Sequence, residues 1–275
     1  MGLAHQSVKL SGNYALGVGE AGERRLRAIQ SVMGPATRRL LENAGLQRGM
    51  RVADLGCGIG TVTRLIAEMV GPDGHAVGVD LSTAQLDIAR NAAASAQLVN
   101  CQFVEASAIE TGLPEASFDV VYCRLLLIHL PDPLRGLAEM RRLLKPGGLL
   151  VCEDTEVAST FTEPPSAIDR SGQLMTLLGD RNGTDWNLGR RLYQLVLASG
   201  FTGANVNVHQ AAVTHGDHKR IMEWTVAETS PALIQAGIIA ADELERVLVE
   251  MQNAAAVENL VCFMPRFFQV WARKT

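Results

Sequence analysis

Two carboxylates and a run of glycines stand where a chain can hold a small ligand. The stretch Asp54-Leu55-Gly56-Cys57-Gly58-Ile59-Gly60 follows the strand-like MRVADLG and precedes TVTRLIAEMV, whose spacing is helical. Glycines at such a bend let backbone approach a ligand closely. The helix that follows offers unpaired N–H groups and the positive end of its dipole. The spacing is G-x-G-x-G, with Thr61 where the dinucleotide fingerprint has its third glycine. Asp54 stands two residues before the first glycine. A carboxylate there repels a pyrophosphate and attracts a cation. No G-K-[ST] follows, which excludes a P-loop. The second carboxylate, Asp80, stands near the end of the run HAVGVDL at a distance that suits hydrogen bonds to ribose hydroxyls.

Strand ends must carry these residues. From Met50 short apolar runs alternate with helical stretches: MRVADLG, HAVGVDL, CQFVEA, FDVVYCR and GGLLVCED read as strands, and TVTRLIAEMV, STAQLDIARNAAASA and PLRGLAEMRRLL as helices. That alternation implies an α/β fold with a mostly parallel, doubly wound sheet, and the near-continuous apolar strands fit burial on both faces. Residues 20–44 read as helix, with Pro35 as a break or restart. Residues 156–185 carry turn formers and one short apolar patch, Leu174 to Leu178, and residues 186–199 read as helix. FTGANVNVHQAAVTH reads as a sixth strand and VCFMPRFFQVWARK as a seventh, with a mostly helical insertion over 214–260 broken at Pro231. Three regions follow: an N-terminal helical segment at 1–45, a ligand-binding core at 46–155, and cap elements with the last strands at 156–275.

A ligand with a ribose and a cationic amino-acid end, but no diphosphate, meets the demands of Asp54 and Asp80. S-adenosylmethionine is such a ligand. VADLGCGIGTVT, GVDLS, FDVVYCRLLLIHLPDP and LKPGGLLVCED together resemble the successive motifs of class I S-adenosylmethionine-dependent methyltransferases, over about residues 14–155. The likeness is to bacterial small-molecule methyltransferases with an N-terminal helical segment and a helical cap, and it implies a Rossmann-like, seven-stranded sheet. It also implies residue roles. Gly56, Cys57, Gly58 and Gly60 shape the bend against the methionine part, and Asp54 holds the ammonium. Asp80 takes the ribose diol, Leu81 packs on adenine, and Gln85 approaches the adenosine. Where relatives carry Gly-Asp-Ala, this chain has Ala106-Ser107-Ala108, so Ser107 offers adenine an uncharged, weaker hydrogen bond. Cys123 brings its backbone carbonyl to the methionine amine, and Arg124 approaches the carboxylate. Tyr14 and Gln30 resemble N-terminal positions that close over the cofactor.

Methyl transfer from a sulfonium needs alignment and a water-poor site, and a base only where the nucleophile must lose a proton. His129, Glu153 and Asp154 stand near the fourth and fifth strand ends as candidates for that task, and Glu156 reads as solvent-facing. Asp185 suits a helix cap. Trp186, Met222, Trp224, Phe263 and Met264 suit a pocket wall, and Arg190 and Arg191 suit an acidic substrate group or a solvated face. Three competing functions remain: an NAD-dependent oxidoreductase, against which Asp54 and the glycine spacing count; a nucleic-acid methyltransferase, which lacks its Asn-Pro-Pro-Tyr here; and a non-catalytic binding module.

The five cysteines lie in no C-x-x-C pair, and the pair His215 and His218, with Asp217 between them, has no further ligand nearby, so no metal is expected. Of 275 residues 47% are hydrophobic and 20% charged, with a net charge of −4, which suits a globular chain without a broad nucleic-acid surface. Neither a signal peptide nor a membrane span is visible, so a cytoplasmic protein with a small-molecule acceptor is expected, with a homodimer as one possible assembly.

Overall fold

The computed structural model describes residues 20–275, so the expectation for Tyr14 lies outside the described residues. The chain opens with α1 (Glu20–Ala44), which runs through Pro35 without a break. An interior proline costs about 3 kcal/mol in a helix. Here Pro35 faces solvent, and side chains of the same helix, Gln30 and Thr37, hold it to the sheet on either side. The core follows in the expected alternation: β1 (Arg51–Leu55), α2 (Thr61–Val70), β2 (His75–Asp80), α3 (Thr83–Ser95), β3 (Cys101–Glu105), β4 (Phe118–Arg124), α4 (Pro133–Leu143) and β5 (Leu144–Glu156). Asp132 caps α4, accepting from the Leu134 N–H with Pro133 in the first turn, and Ser82 caps α3.

The rest of the chain adds β6 (Phe161–Glu163), α5 (Arg170–Asn182), α6 (Leu192–Ala198), β7 (Phe201–His209), β8 (Ala212–Val213), α7 (Ile221–Gln235), α8 (Ala241–Ala255), β9 (Val261–Phe263) and β10 (Arg266–Lys274). The main sheet has seven strands in the order β3-β2-β1-β4-β5-β10-β7. It is parallel from β3 to β5, and β10 runs antiparallel to both β5 and β7. Alternate residues bury on opposite faces. Ala53, Val121, Cys123 and Cys152 pack with α4 and α6, while Val52, Val120, Tyr122 and Val151 pack with α1 and α2. The chain moves outward from β1 through β2 to β3, then returns to β4 on the other side. This leaves a crevice beyond the carboxyl ends of β1 and β4.

Two expected strands divide. VCFMPRFFQVWARK splits at Met264-Pro265, because Pro265 has no N–H for a ladder and the Met264 N–H is taken by the Ala211 carbonyl. FTGANVNVHQAAVTH splits at Gln210, whose amide donates to the carbonyls of Ser159 and Met264. The short pieces β6, β9 and β8 form a separate antiparallel sheet in the cap. Pro231 does not break α7; it faces solvent, and the chain turns later, at Gly237, before α8. Where the sequence suggests only an apolar patch, α5 is a full helix. Its glycines weaken helix propensity yet permit close packing: a Cβ on Gly172 would lie 2.6 Å from the Val157 carbonyl oxygen. The cap core, built around Met175, Leu178, Val226, Leu244 and Met251, joins Ile29 and Met33 of α1. Helix α1 and the cap together roof the crevice.

Candidate active site

The bend after β1 is built from left-handed glycines. Gly56, Gly58 and Gly60 have φ of 69°, 53° and 68°. A side chain on Gly56 would strike Leu126 at 2.9 Å, and one on Gly60 would meet Phe103 at 2.7 Å and Ala89 at 2.8 Å. Replacing Gly60 by alanine therefore combines an unfavourable φ with overpacking, for an expected loss of about 3 kcal/mol. A shift of the urea midpoint reads it, and an unchanged midpoint contradicts it.

The Cys57 thiol is buried beside the bend, and burial raises its pKa well above the usual range, so it is a packed thiol. Asp80 ties the bend to β2. One of its oxygens accepts from the Gly58 N–H at 2.8 Å and the other from the Ser82 N–H at 2.9 Å. Burial raises its pKa, and these backbone donors oppose the rise. Asp54 lies deeper, at 3% exposure, and accepts from the Thr63 hydroxyl at 2.6 Å. Burial lifts its pKa to about 7, against the pull of Thr63 and of the Arg124 charge.

Arg124 ends β4 and leans on α1. It donates to Gln30 Oε1 at 2.9 Å and to Thr37 Oγ1 at 3.2 Å. Gln30 thus meets the site through Arg124. Asp54, Asp80, Gln85, Arg124 and the bend line one cavity of about 1150 Å³. A neighbouring cleft of about 1410 Å³ shares Gly56, Asp80, Gln85 and His129 with it, and adds Leu81, Ser107 and Ala108. The expected cofactor residues therefore gather at one crevice, with four exceptions, of which Gly60 sits in the bend but lines neither cavity. Cys123 is one residue short of the strand end, fully buried among core side chains and outside both cavities. Gln30 contacts Arg124 rather than the cavity wall, and Tyr14 is outside the described residues.

The carboxylates expected past the fifth strand are placed differently, because β5 continues to Glu156. Glu153 is fully buried and turned away from the crevice. It accepts from Thr37 Oγ1 at 2.8 Å, Tyr122 Oη at 2.5 Å and Gln269 Nε2 at 2.7 Å. Asp154 points to the other face and is also fully buried. One of its oxygens accepts from the Leu127 N–H at 3.1 Å, and burial raises its pKa well above the carboxylate range. It thereby anchors the short helix Leu127–His129. Neither carboxylate lines the cavity. Glu156, read as solvent-facing, is 8% exposed and pairs with Arg266 at 3.2 Å and Arg190 at 3.7 Å. Arg191 pairs with Asp185 at 2.9 Å, so both cap arginines are engaged by carboxylates of this chain. Asp185 also accepts from the Asn187 N–H at 2.9 Å, at the turn that leads to the short helix Leu188–Arg191.

His129 does line the crevice, edge-on to Trp186 with ring centroids 5.1 Å apart. Desolvation and the nearby Arg25 charge push its pKa down to about 3. A neutral imidazole at physiological pH is a hydrogen-bonding wall residue rather than a strong base. Trp186, Met222 and Met264 line the cavity as expected. Trp224 instead lies under the guanidinium groups of Arg24 and Arg220, and Phe263 stacks on Phe161. No cluster of three metal-ligating side chains occurs among the described residues, and His215 meets the Thr214 hydroxyl. Residues missed from sequence are Arg25, Ile29, Val32 and Met33 of α1, together with Thr155 and Leu125. Leu125 adopts φ 54° at the mouth, uncommon for a branched side chain, and its N–H donates to the Glu153 carbonyl at 2.9 Å.

The strand order, the glycine bend after β1 and the acidic end of β2 are the features expected of class I, S-adenosylmethionine-dependent methyltransferases. Residues 53–152 match the family described as a methyltransferase domain. Over 110 residues the chain is 39% identical to a demethylmenaquinone methyltransferase of Listeria monocytogenes serotype 4a, a match covering 40% of this chain and 46% of that protein. Over 118 residues it is 36% identical to the demethylmenaquinone methyltransferase of Staphylococcus aureus strain Newman, covering 43% and 48%. The chain thus spans less than half the length of these curated relatives. The crystal structure of an S-adenosylmethionine-dependent methyltransferase from Aquifex aeolicus is similar with a TM-score of 0.56 at 16% identity, over 94% of this chain and all of that one, which shows the shared fold.

Proposed function

We propose that this chain transfers the methyl group of S-adenosylmethionine to a small-molecule acceptor. The observation that carries the reading is the pair Asp54 and Asp80 on one crevice, on either side of a bend of left-handed glycines. These groups fit the cofactor: Asp54 suits its ammonium, Asp80 its ribose diol, and the exposed Leu81 with Ser107 and Ala108 its adenine. When bound, S-adenosylmethionine supplies a methyl group already activated by the positive sulfur. The chain's own residues then have three tasks. The bend and Asp80 orient one reactant, the cap walls hold the other, and α1 with the cap keeps water away. The name of the Listeria and Staphylococcus relatives supports a small-molecule acceptor for this chain too. A dinucleotide reading fares worse, because Asp54 sits where a pyrophosphate would need donors. Among the described residues no helix is long and apolar enough to cross a membrane.

The test uses the titration of Asp54. Burial favours its neutral form up to about pH 7, whereas a bound ammonium favours the carboxylate. Cofactor binding below that pH must then release a proton, and affinity must rise with pH. Calorimetry in buffers of different ionisation enthalpy is expected to show release of nearly one proton at pH 6, and affinity about fivefold higher at pH 7.5, below the range where the ligand's own α-ammonium is mostly lost. Absence of binding, or tighter binding at pH 6, refutes the assignment. Release of S-adenosylhomocysteine with an added acceptor separates an enzyme from a binding module.

A further inference from the structure

Away from Asp54 and Asp80, the same cavity continues into a chamber under the cap, and its walls carry a chemical specification. Ile29 and Met33 come from α1, Met222 from α7, Val157 and Phe267 from the sheet end, and Trp186 closes one side. Of the charged side chains that line the cavity, Asp54, Asp80 and Arg124 sit at the glycine bend. The remaining one, Arg25, is 4% exposed and already paired, its Nε donating to Glu228 Oε1 at 3.0 Å. Among the described residues the chamber therefore presents no unpaired charge to an acceptor, and a charged acceptor would lose its hydration without a counter-ion from them.

Besides the His129 imidazole next to Trp186 and the Thr225 hydroxyl, one polar side chain of the described residues breaks the apolar wall. Thr155 on β5 is 2% exposed and lines the cavity, and its hydroxyl has no hydrogen-bond partner among the described residues. Thr225, the other threonine on the chamber side, donates its hydroxyl to the Ile221 carbonyl at 2.8 Å, as helical threonines commonly do. A buried hydroxyl without a partner is uncommon and costly. Its partner is sought in what fills the space beside it.

Resting on the methyltransferase reading, we infer that the acceptor is an uncharged, largely apolar ring compound with one hydroxyl or carbonyl group, which hydrogen-bonds to Thr155 Oγ1. Thr155 is then a specificity residue, and Trp186 packs against the ring. Acids, zwitterions and quaternary or protonated amines are excluded by the same walls.

The experiment measures equilibrium binding to the full chain saturated with S-adenosylhomocysteine, read by tryptophan fluorescence. The probes are 1-naphthol, 1-methylnaphthalene and 1-hydroxy-2-naphthoate. The naphthol is expected to bind at least tenfold more tightly than the naphthoate. Thr155→Val, which keeps shape and removes the hydroxyl, is expected to weaken naphthol about fivefold, as befits one hydrogen bond, and to leave methylnaphthalene unchanged. Thr155→Ser is expected to restore naphthol binding. Equal or tighter binding of the naphthoate, no binding of the naphthol, or naphthol affinity untouched by Thr155→Val overturns the inference while S-adenosylhomocysteine still binds. Failure to take up S-adenosylhomocysteine overturns the methyltransferase reading and this inference with it.

Discussion

Replacing Glu153 by alanine is expected to lower the melting temperature by about 10 °C, through a loss of about 4 kcal/mol at roughly 2–4 °C per kcal/mol for a domain of this size. The carboxylate is fully buried and serves three donors from three elements: Thr37 of α1, Tyr122 of β4 and Gln269 of β10. Gln269 passes the connection on, its Oε1 accepting from Asn207 of β7 at 2.8 Å, so one side chain joins α1 to four strands. Truncation leaves three buried donors without an acceptor, each costing about 1–3 kcal/mol, and opens a cavity beside them. Glu153→Gln keeps one acceptor oxygen but turns an amide toward groups that already donate, so its loss is expected to be about half as large. Thermal unfolding at neutral pH checks both. A wild-type melting point for Glu153→Ala would mean that Thr37, Tyr122 and Gln269 find other acceptors. The same variant, studied below its melting point, is expected to bind the cofactor normally, which separates a structural carboxylate from a catalytic one.

Glu153 also shows where sequence stops informing. In LLVCEDTEV, carboxylates after an apolar run signal a strand end, since a buried charge normally needs partners. The partners exist, but Thr37 and Gln269 each lie 116 residues away in sequence, and no local pattern announces them. The strand could therefore continue through three carboxylates, two of which the sequence suggests for the crevice mouth and one for solvent. By contrast, the glycine bend and Asp80 were legible, because a left-handed turn restricts residue type and the two motifs sit at adjacent strand ends. The alternation of short apolar runs with helices gave the parallel core for the same reason: period and length are local. Helix α1 was legible as a helix but not as a cavity wall. Leu26, Ile29 and Met33 form an ordinary apolar stripe, and only the tertiary arrangement decides that part of that stripe meets a chamber rather than a core. Pro35 and Pro231 misled because a proline in a solvent-facing helical position removes one hydrogen bond, and tertiary packing can outweigh that cost. Thr155 carried no signal at all; a threonine in a strand is unremarkable until its hydroxyl is found without a partner.

Asp80→Ala is expected to weaken S-adenosylmethionine binding about 100-fold, near 2.7 kcal/mol. Two losses combine. The carboxylate is the group on this crevice suited to a ribose diol, and a hydrogen bond to a charged acceptor contributes about 1.5–3 kcal/mol. The same oxygens hold the Gly58 and Ser82 N–H groups, so the alanine variant also releases the bend from β2. Asp80→Asn divides the two. It keeps one carbonyl oxygen for the backbone or the ligand and removes the charge, so its affinity is expected to fall about tenfold. Glu156→Ala is the control: that carboxylate pairs with Arg190 and Arg266 and lines neither cavity, so cofactor affinity should not change. Calorimetric titration of the three variants orders them. If Asp80→Ala and Glu156→Ala bind equally well, the ribose does not rest on β2, and the crevice holds its ligand in another orientation.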